Sequence, residues 1–361
     1  MNEQQYQGAA SKLIAAGGIP FPTDSVIDIL KELITVDQAA FIQLFDRSLS
    51  RDEIREKSGL DETQLDRMLD DLMDNGVVFG MPSKHTGIMV YRLLPPLPGI
   101  FESTMMRGEH GQKQKTLARL FENLFEELSG LVQKNYDTVL PALKNIPAMT
   151  RIVPVEKQID PQFDTVMPCE DVKKLIDRYD TIAVAYCYCR HQKDLLGRPC
   201  KVTDDRKNCL LFGKTAQFYI DHHFAEPIAK DQAKRILEKA EEDGLVHKAF
   251  HEKYDTGKDE MAVCNCCKCC CETFQSYYRG SSPTVTYTAY IAVVESDTCS
   301  GCGVCVDVCP MEAIEMTGDI AGIDDSRCIG CGLCAFHCAT GALALSRTGQ
   351  REVFVPPPRL T

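Results

Sequence analysis

An α+β chain of several domains is the fold class the sequence predicts, and three observations carry it. The chain has 361 residues, enough for two or three separately packed cores. Its front part combines helix-opening tetrads with a terminal hairpin pattern, whereas its rear part alternates strand-sized apolar runs with cysteine-rich loops. All 19 cysteines lie from Cys169 onward, so the chemistry is confined to the C-terminal half. The expected divisions are a helical domain over 1–100, a helical connector over 101–163, a cysteine-rich domain over 164–289 and a module built on a duplicated cysteine run over 290–361.

Composition narrows the class. With 44% apolar and 25% charged residues the chain reads as globular and lacks the signature of disorder. No run approaches the roughly 20 apolar residues of a membrane helix; "TIAVAY" and "YIAVV" are strand-sized. The opening "MNEQQYQGAASKLIAAGG" lacks the basic start and apolar block of a secretory signal. The expected location is therefore cytoplasmic, where thiols stay reduced. Nineteen cysteines, an odd number, then argue for metal or redox chemistry and against a disulfide framework. A net charge of −12 favours basic protein partners and disfavours nonspecific attachment to nucleic acid or anionic lipid.

In the front half, "SRDE" (Ser50–Glu53) and "DETQ" (Asp61–Gln64) each place a side-chain acceptor three residues before Glu or Gln, the pattern that opens a helix. Leu65, Met68, Leu69, Leu72 and Met73 then repeat at helical spacing as one buried face. "DNG" stops that helix, and "VVFGMPSKHTGIMVYRLL" supplies two extended runs around a Gly/Pro/Ser turn. Residues 24–95 resemble winged-helix domains in this pattern. Such domains often bind DNA, but the segment carries 14 acidic against 8 basic side chains. Its second helix presents Glu62, Asp66, Asp70, Asp71 and Asp74 with Arg67 alone, a surface that phosphate would repel. Protein docking or dimerisation is the expected role. Residues 112–136 follow as an amphipathic helix with a stripe of Leu117, Leu120, Phe121, Leu124, Phe125, Leu128 and Leu131, suited to internal packing or to a homodimer interface. Prolines 141, 147, 154 and 161 then predict an extended, surface-following connection.

The strongest signal is "CSGCGVCVDVCP" followed by "CIGCGLCAFHCA", a CxxCxxCxxxC run repeated at a 29-residue interval. Zinc sites usually draw four thiolates from pairs of CxxC. Three cysteines at three-residue spacing instead wrap an iron–sulfur cubane, whose fourth ligand must come from elsewhere. Residues 290–346 resemble the bacterial two-[4Fe-4S] ferredoxin domain. The resemblance implies that the first cluster takes Cys299, Cys302, Cys305 and Cys338, and the second Cys328, Cys331, Cys334 and Cys309, each run lending its last cysteine to the other cluster. Gly301, Gly303, Gly330 and Gly332 allow close backbone approach. "YIAVVES" and "ALALSR" read as flanking strands. Pro310 follows Cys309 as the pattern wants, whereas Ala339 follows Cys338.

Upstream, "AYCYCRHQKDLLGRPCKVTDDRKNCLLFG" contributes Cys187, Cys189, Cys200 and Cys209, enough for one zinc or one further [4Fe-4S] cluster. Arg190, Lys201, Arg206 and Lys207 are positioned to offset thiolate charge or to form a solvated face. "CNCCKCCC" (264–271) offers Cys264, Cys267 and Cys270 as a second triad, with Cys266 and Cys269 as another CxxC and Cys271 left over. Adjacent cysteines point in different directions, so the octet is expected to be shared between sites. Spacing allots Cys187, Cys189, Cys200 and Cys209 to one site and the triad, with an outside ligand, to another, so at least one further iron–sulfur cluster is expected; a single cluster drawing on both stretches, zinc, or a thiol–disulfide patch are the alternatives. His222, His223, His247 and His251 nearby are read as core or solvated histidines, Cys169 as a buried apolar residue, and the helix ended by Gly244 as packing.

"YCYCRH", "CNCCKCCC" and the paired runs together resemble multi-cysteine 4Fe-4S binding proteins of anaerobic bacteria. That resemblance implies an α+β multidomain architecture: a winged-helix-like region, a cysteine-rich domain and a C-terminal ferredoxin-like 2[4Fe-4S] domain. The expected function is single-electron transfer between redox protein partners. The rivals are an iron–sulfur subunit of a larger anaerobic oxidoreductase and a redox-sensing winged-helix regulator. No nucleotide fingerprint, P-loop or catalytic triad supports catalysis in the chain alone.

Overall fold

The computed structural model describes residues 2–17, 23–83, 86–145, 148, 150–155, 172–251 and 259–360, and it is a mixed helix-and-sheet, multidomain chain. It divides into two compact units, one of residues 1–128, 185–199 and 217–226, the other of 129–184, 200–216 and 227–361.

The first unit opens with α1 (Asn2–Ala15), α2 (Asp24–Leu33) and α3 (Val36–Phe41), followed by β1 (Leu49–Ser50), α4 (Arg51–Ser58) and α5 (Glu62–Asp74). Both tetrads do open helices. The Ser50 and Asp61 side chains accept from the N–H of Glu53 and Gln64, whose own side chains reach back to the cap N–H groups. Gly59, at φ 67°, ends α4 in the left-handed region. α5 buries Leu65, Leu69, Leu72 and Met73. β2 (Val78–Pro82) and β3 (Met89–Leu93) form the hairpin, and β1 joins it in an antiparallel sheet of order β1-β3-β2. α6 (Phe101–Met106) and α7 (Gln112–Lys134) follow. The stripe of α7 buries Leu117, Phe121, Leu124 and Phe125, and the Phe101 ring packs 5.0 and 5.1 Å from those of Phe121 and Phe125.

The rest of the chain contributes α8 (Tyr136–Leu143), β4 (Thr150–Val153), α9 (Val172–Asp177), β5 (Ile182–Ala185), α10 (Tyr188–Leu195), β6 (Cys209–Phe212), α11 (Gly213–Asp221), β7 (Glu226–Pro227) and α12 (Lys230–Glu242). β8 (Val246–His251), β9 (Glu260–Cys266), α13 (Glu272–Tyr278) and β10 (Thr284–Val294) lead into α14 (Val304–Val308), β11 (Ile314–Thr317), β12 (Ile320–Ile323), α15 (Leu333–Phe336) and β13 (Leu343–Val355). The second unit is organised by one eight-stranded sheet of order β13-β10-β4-β8-β9-β6-β5-β7. β5 and β6 are buried at every position, which is why "IAVA" and "CLLF" show no polar alternation. Leu175 of α9 and Leu237 of α12 complete a core with Ile182, Val184, Leu210, Phe212 and Val263.

One expectation is corrected here. The proline-punctuated stretch does not run extended along the surface in its described part. Tyr136–Leu143 is helical with Pro141 inside it, and all four residues of β4 are buried. β4 fills the gap between β8, antiparallel to it, and β10, parallel to it. Proline punctuation marks where regular hydrogen bonding is interrupted, and two prolines flanking four residues leave room for a short central strand. Cys169 lies outside the described residues. The expected boundary between residues 289 and 290 falls within β10.

Candidate metal centres

The duplicated cysteine runs lie between β10 and β13, which pair antiparallel from Thr284 with Val355 to Val294 with Leu343. Each run opens in a loop whose glycines take positive φ: Gly301 and Gly303 at 67° and 74°, Gly330 and Gly332 at 65° and 84°. A Cβ on Gly330 would stand 2.2 Å from the Tyr290 carbonyl oxygen, and one on Gly301 would stand 2.8 Å from that of Asp319. These positions accept glycine alone without a shift of backbone. α14 and α15 then carry Cys305 and Cys334.

Cys309 and the triad Cys328, Cys331 and Cys334 line one cavity together with Ala292, Pro310, Ile314 and Leu333. The last cysteine of the first run is thus brought to the triad of the second. Ala313 N–H donates to Cys309 Sγ at 3.3 Å, and Ala292 N–H to Cys328 Sγ at 3.5 Å. Arg327 holds the Met311 carbonyl at 2.7 Å, and Arg351 donates to the Cys328 carbonyl. Burial pushes the thiols of Cys309 and Cys331 up, and that of Cys334 up to about 12. Those three sulfurs are poor as bare thiolates and need a cationic centre to stabilise them. An apolar cavity, convergent thiols and amide donors aimed at sulfur fit a [4Fe-4S] cluster. Of the first set, Cys305 is buried, Cys299 and Cys338 are half-buried, and Cys302 is exposed.

The central cysteines are regrouped relative to their spacing. Cys187 and Cys189 lie in the first unit at the start of α10, beside the fully buried Arg190; Arg190 is therefore no part of a solvated face. Cys200, Cys209 and the octet lie in the second unit. β6 runs antiparallel to β9 with Leu210 opposite Val263, so Cys209 falls beside Cys264, their sulfurs 3.9 Å apart. Cys200 instead meets the turn after β9. Its Sγ is 3.7 Å from Cys267 Sγ and 3.7 Å from Cys269 Sγ. Cys269 Sγ lies 3.7 Å from Cys267 Sγ and 3.6 Å from Cys270 Sγ, and all four atoms are within 4.8 Å of one another. Cys269, which spacing had paired with Cys266, is the member sequence reasoning missed; its distance from Cys200 in the chain left no local signal. The sequence triad of Cys264, Cys267 and Cys270 is divided, because Cys264 belongs to a strand and the other two to the turn beyond it.

Within this group, hydrogen bonds from Cys267, Cys269 and Cys270 hold the Cys200 thiol far below its ordinary range, while the bond with Cys200 pushes Cys270 far up. Cys200 pushes Cys269 up as well, but its bonds with Cys267 and Cys270 carry it down, to about 6. Cys266 and Cys271 are both buried, and their mutual hydrogen bond, with burial, drives the Cys266 thiol well up. His247 is buried with Nδ1 2.5 Å from Asn265 Oδ1, His251 is buried, and His222 lies 2.7 Å from Asp74. No helix among the described residues is long and apolar enough to cross a membrane.

Residues 298–342 match the family of 4Fe-4S dicluster domains. The chain is also similar to Ferredoxin-2 of Desulfomicrobium norvegicum, 59% identical over 27 residues. That alignment covers 8% of this chain and 46% of the ferredoxin, so the chain spans about half the length of the curated relative it matches. No solved structure matches the chain significantly.

Proposed function

We propose that the protein is an electron-transfer iron–sulfur protein. Its C-terminal module holds one [4Fe-4S] cluster on Cys299, Cys302, Cys305 and Cys338 and a second on Cys328, Cys331, Cys334 and Cys309. The observation that carries the reading is the convergence of Cys309 on the triad of the other run, the exchange of ligands a two-cluster module requires. When bound, such clusters take up and release single electrons. The chain's own residues set the conditions for that. The walls of the second cavity exclude water, the amides of Ala292 and Ala313 lower the electron density on the sulfurs they face, and Arg327 and Arg351 fix the loops. The exposed Cys302 supports the first cluster as the port for an external redox protein, and the net charge of −12 favours a basic one.

A DNA-binding regulator is disfavoured. Arg51 pairs with both Glu62 and Asp66, and Arg55 with Glu62, so acidic side chains occupy the arginines beside α5. The chain's own redox role and a role as subunit of a larger oxidoreductase rest on the same clusters; copurification of a flavin- or metal-bearing partner separates them. The reading is tested by anaerobic redox titration followed by electron paramagnetic resonance. About eight cluster irons with matching sulfide, reducible in two one-electron steps, are expected. A folded, iron-free protein made without oxygen overturns it.

A further inference from the structure

Cys200, Cys267, Cys269 and Cys270 hold their sulfurs closer together than a cubane permits. With metal–sulfur bonds of about 2.3 Å, the edge of a regular tetrahedron around one ion is about 3.8 Å. Four of the six separations in this group are 3.6, 3.7, 3.7 and 3.7 Å, and the remaining two lie within 4.8 Å. A [4Fe-4S] cluster places each thiolate on a different iron, so every sulfur–sulfur line spans two bonds and an iron–iron edge and is longer by ångströms. The ferredoxin-type cysteines behave that way in the same chain: among the described residues, no three of those eight thiols come within 4.8 Å of one another. The contrast is one of nuclearity. One group is spaced for one ion and the other for clusters.

The surroundings fit a closed site. Cys267 and Cys270 are buried against Ala240 and Leu245, with Cys200 and Cys269 at the rim. Val202 N–H points at Cys200 Sγ at 3.4 Å, and Lys201 N–H at Cys269 Sγ, donors that stabilise thiolate. Cys271 N–H closes the turn onto the Cys267 carbonyl at 3.1 Å, and Gln275 Nε2 holds the Lys268 carbonyl at 2.7 Å. Two of the four ligands flank Lys268, whose ammonium reaches Glu312 at 2.9 Å, three residues beyond Cys309. An ion here therefore joins the Cys200 loop, 67 residues away in the chain, to a turn that braces the wall of the second cluster cavity.

We propose that Cys200, Cys267, Cys269 and Cys270 bind a single zinc ion, a structural tetrahedral site independent of the iron–sulfur clusters. Four thiolates leave no open coordination position, which marks a structural and not a catalytic zinc. Among ions that accept four soft thiolates tetrahedrally, zinc binds more tightly than ferrous iron in the general order of divalent affinities. Zinc binds thiolates, so binding releases the protons of those members that are still thiols.

The test uses the full chain, purified without oxygen and incubated with EDTA before metal analysis. About one zinc per chain is expected beside about eight irons. Cys200→Ser and Cys269→Ser are each expected to reduce zinc at least tenfold while iron, sulfide and the reduced-cluster resonance signals stay as in the unaltered protein. Absence of zinc, a single iron in its place, or a loss of about four irons in Cys200→Ser overturns the proposal. Should the variants fail to fold, X-ray absorption at the zinc edge of the unaltered protein decides. One shell of four sulfurs at about 2.3 Å supports the site, whereas an iron neighbour or nitrogen and oxygen ligands refute it. Because iron is counted separately, failure of the zinc site leaves the electron-transfer reading standing, and the converse holds.

Discussion

A methyl group on Gly330 would stand 2.2 Å from the Tyr290 carbonyl oxygen, and the residue's φ of 65° is already one that side chains resist. Gly303, at φ 74°, has open space around the same position. Both glycines sit beside the second cysteine of a triad, Gly330 just before Cys331 and Gly303 just after Cys302, and together they separate strain from collision. Gly303→Ala adds backbone strain of about 1 kcal/mol, and the protein is expected to keep its iron. Gly330→Ala forces Tyr290 and the Cys328–Cys331 loop apart and is expected to halve the iron content, leaving the signals of one cluster. Iron and sulfide analysis on both variants checks this; an intact second cluster in Gly330→Ala would refute the packing role. At this scale the sequence was informative where chemistry is local. The glycines beside the CxxCxxC runs were legible because a loop wrapping a cluster needs them. Cys269 was not, because its partner Cys200 meets it only through tertiary folding.

Caps and stripes are properties of single elements, and they were read well. Ser50 and Asp61 open α4 and α5 as their tetrads predict, and the apolar stripe of 112–136 became α7. Removing a reciprocal cap leaves helix N–H groups unpaired at a cost of about 1 kcal/mol. Ser50→Ala and Asp61→Ala are each expected to lower the stability of the first unit by that amount, seen in denaturant melts followed by circular dichroism, with iron content unchanged. No loss of stability in either variant would mean that solvent satisfies those helix ends equally well. Elements whose identity depends on neighbours were harder to read. β4 carries no polar alternation, since both its faces are covered, and its flanking prolines suggested a loop. The central cysteines were divided by strand register and not by spacing: pairing of β6 with β9 sets Cys209 beside Cys264 and releases Cys200 to the turn. Register is a relation between two strands, and neither strand states it alone.

Across the second unit, the module's strands and the cysteine-rich region share one sheet, and the seam is the short parallel contact of β10 with β4 at Thr286–Thr150 and Tyr287–Arg151. Two ladder pairs alone would make a weak joint. One side-chain and one backbone hydrogen bond reinforce it: Thr286 Oγ1 donates to the Thr150 carbonyl at 2.9 Å, and Val155 N–H donates to the Cys331 carbonyl at 3.1 Å. Farther from the seam, Lys268 pairs with Glu312 and Tyr278 donates to the Pro310 carbonyl. A buried hydrogen bond across a seam, as between Thr286 and Thr150, makes its opening depend on unfolding of the whole layer. Amides of β8, β9 and β10 are therefore expected to exchange with solvent deuterium through one common opening, with similar protection and the same denaturant dependence. Were β10 and β13 to exchange orders of magnitude faster than β8 and β9 with iron fully bound, the ferredoxin-type module would be a separate folding unit. The shared sheet would then be a contact and not a joint. The outcome bears on the proposed function because a jointed sheet holds the Cys309 wall at a fixed distance from the Cys200 group, so that the two proposed centres would keep their geometry during docking of the proposed redox partner.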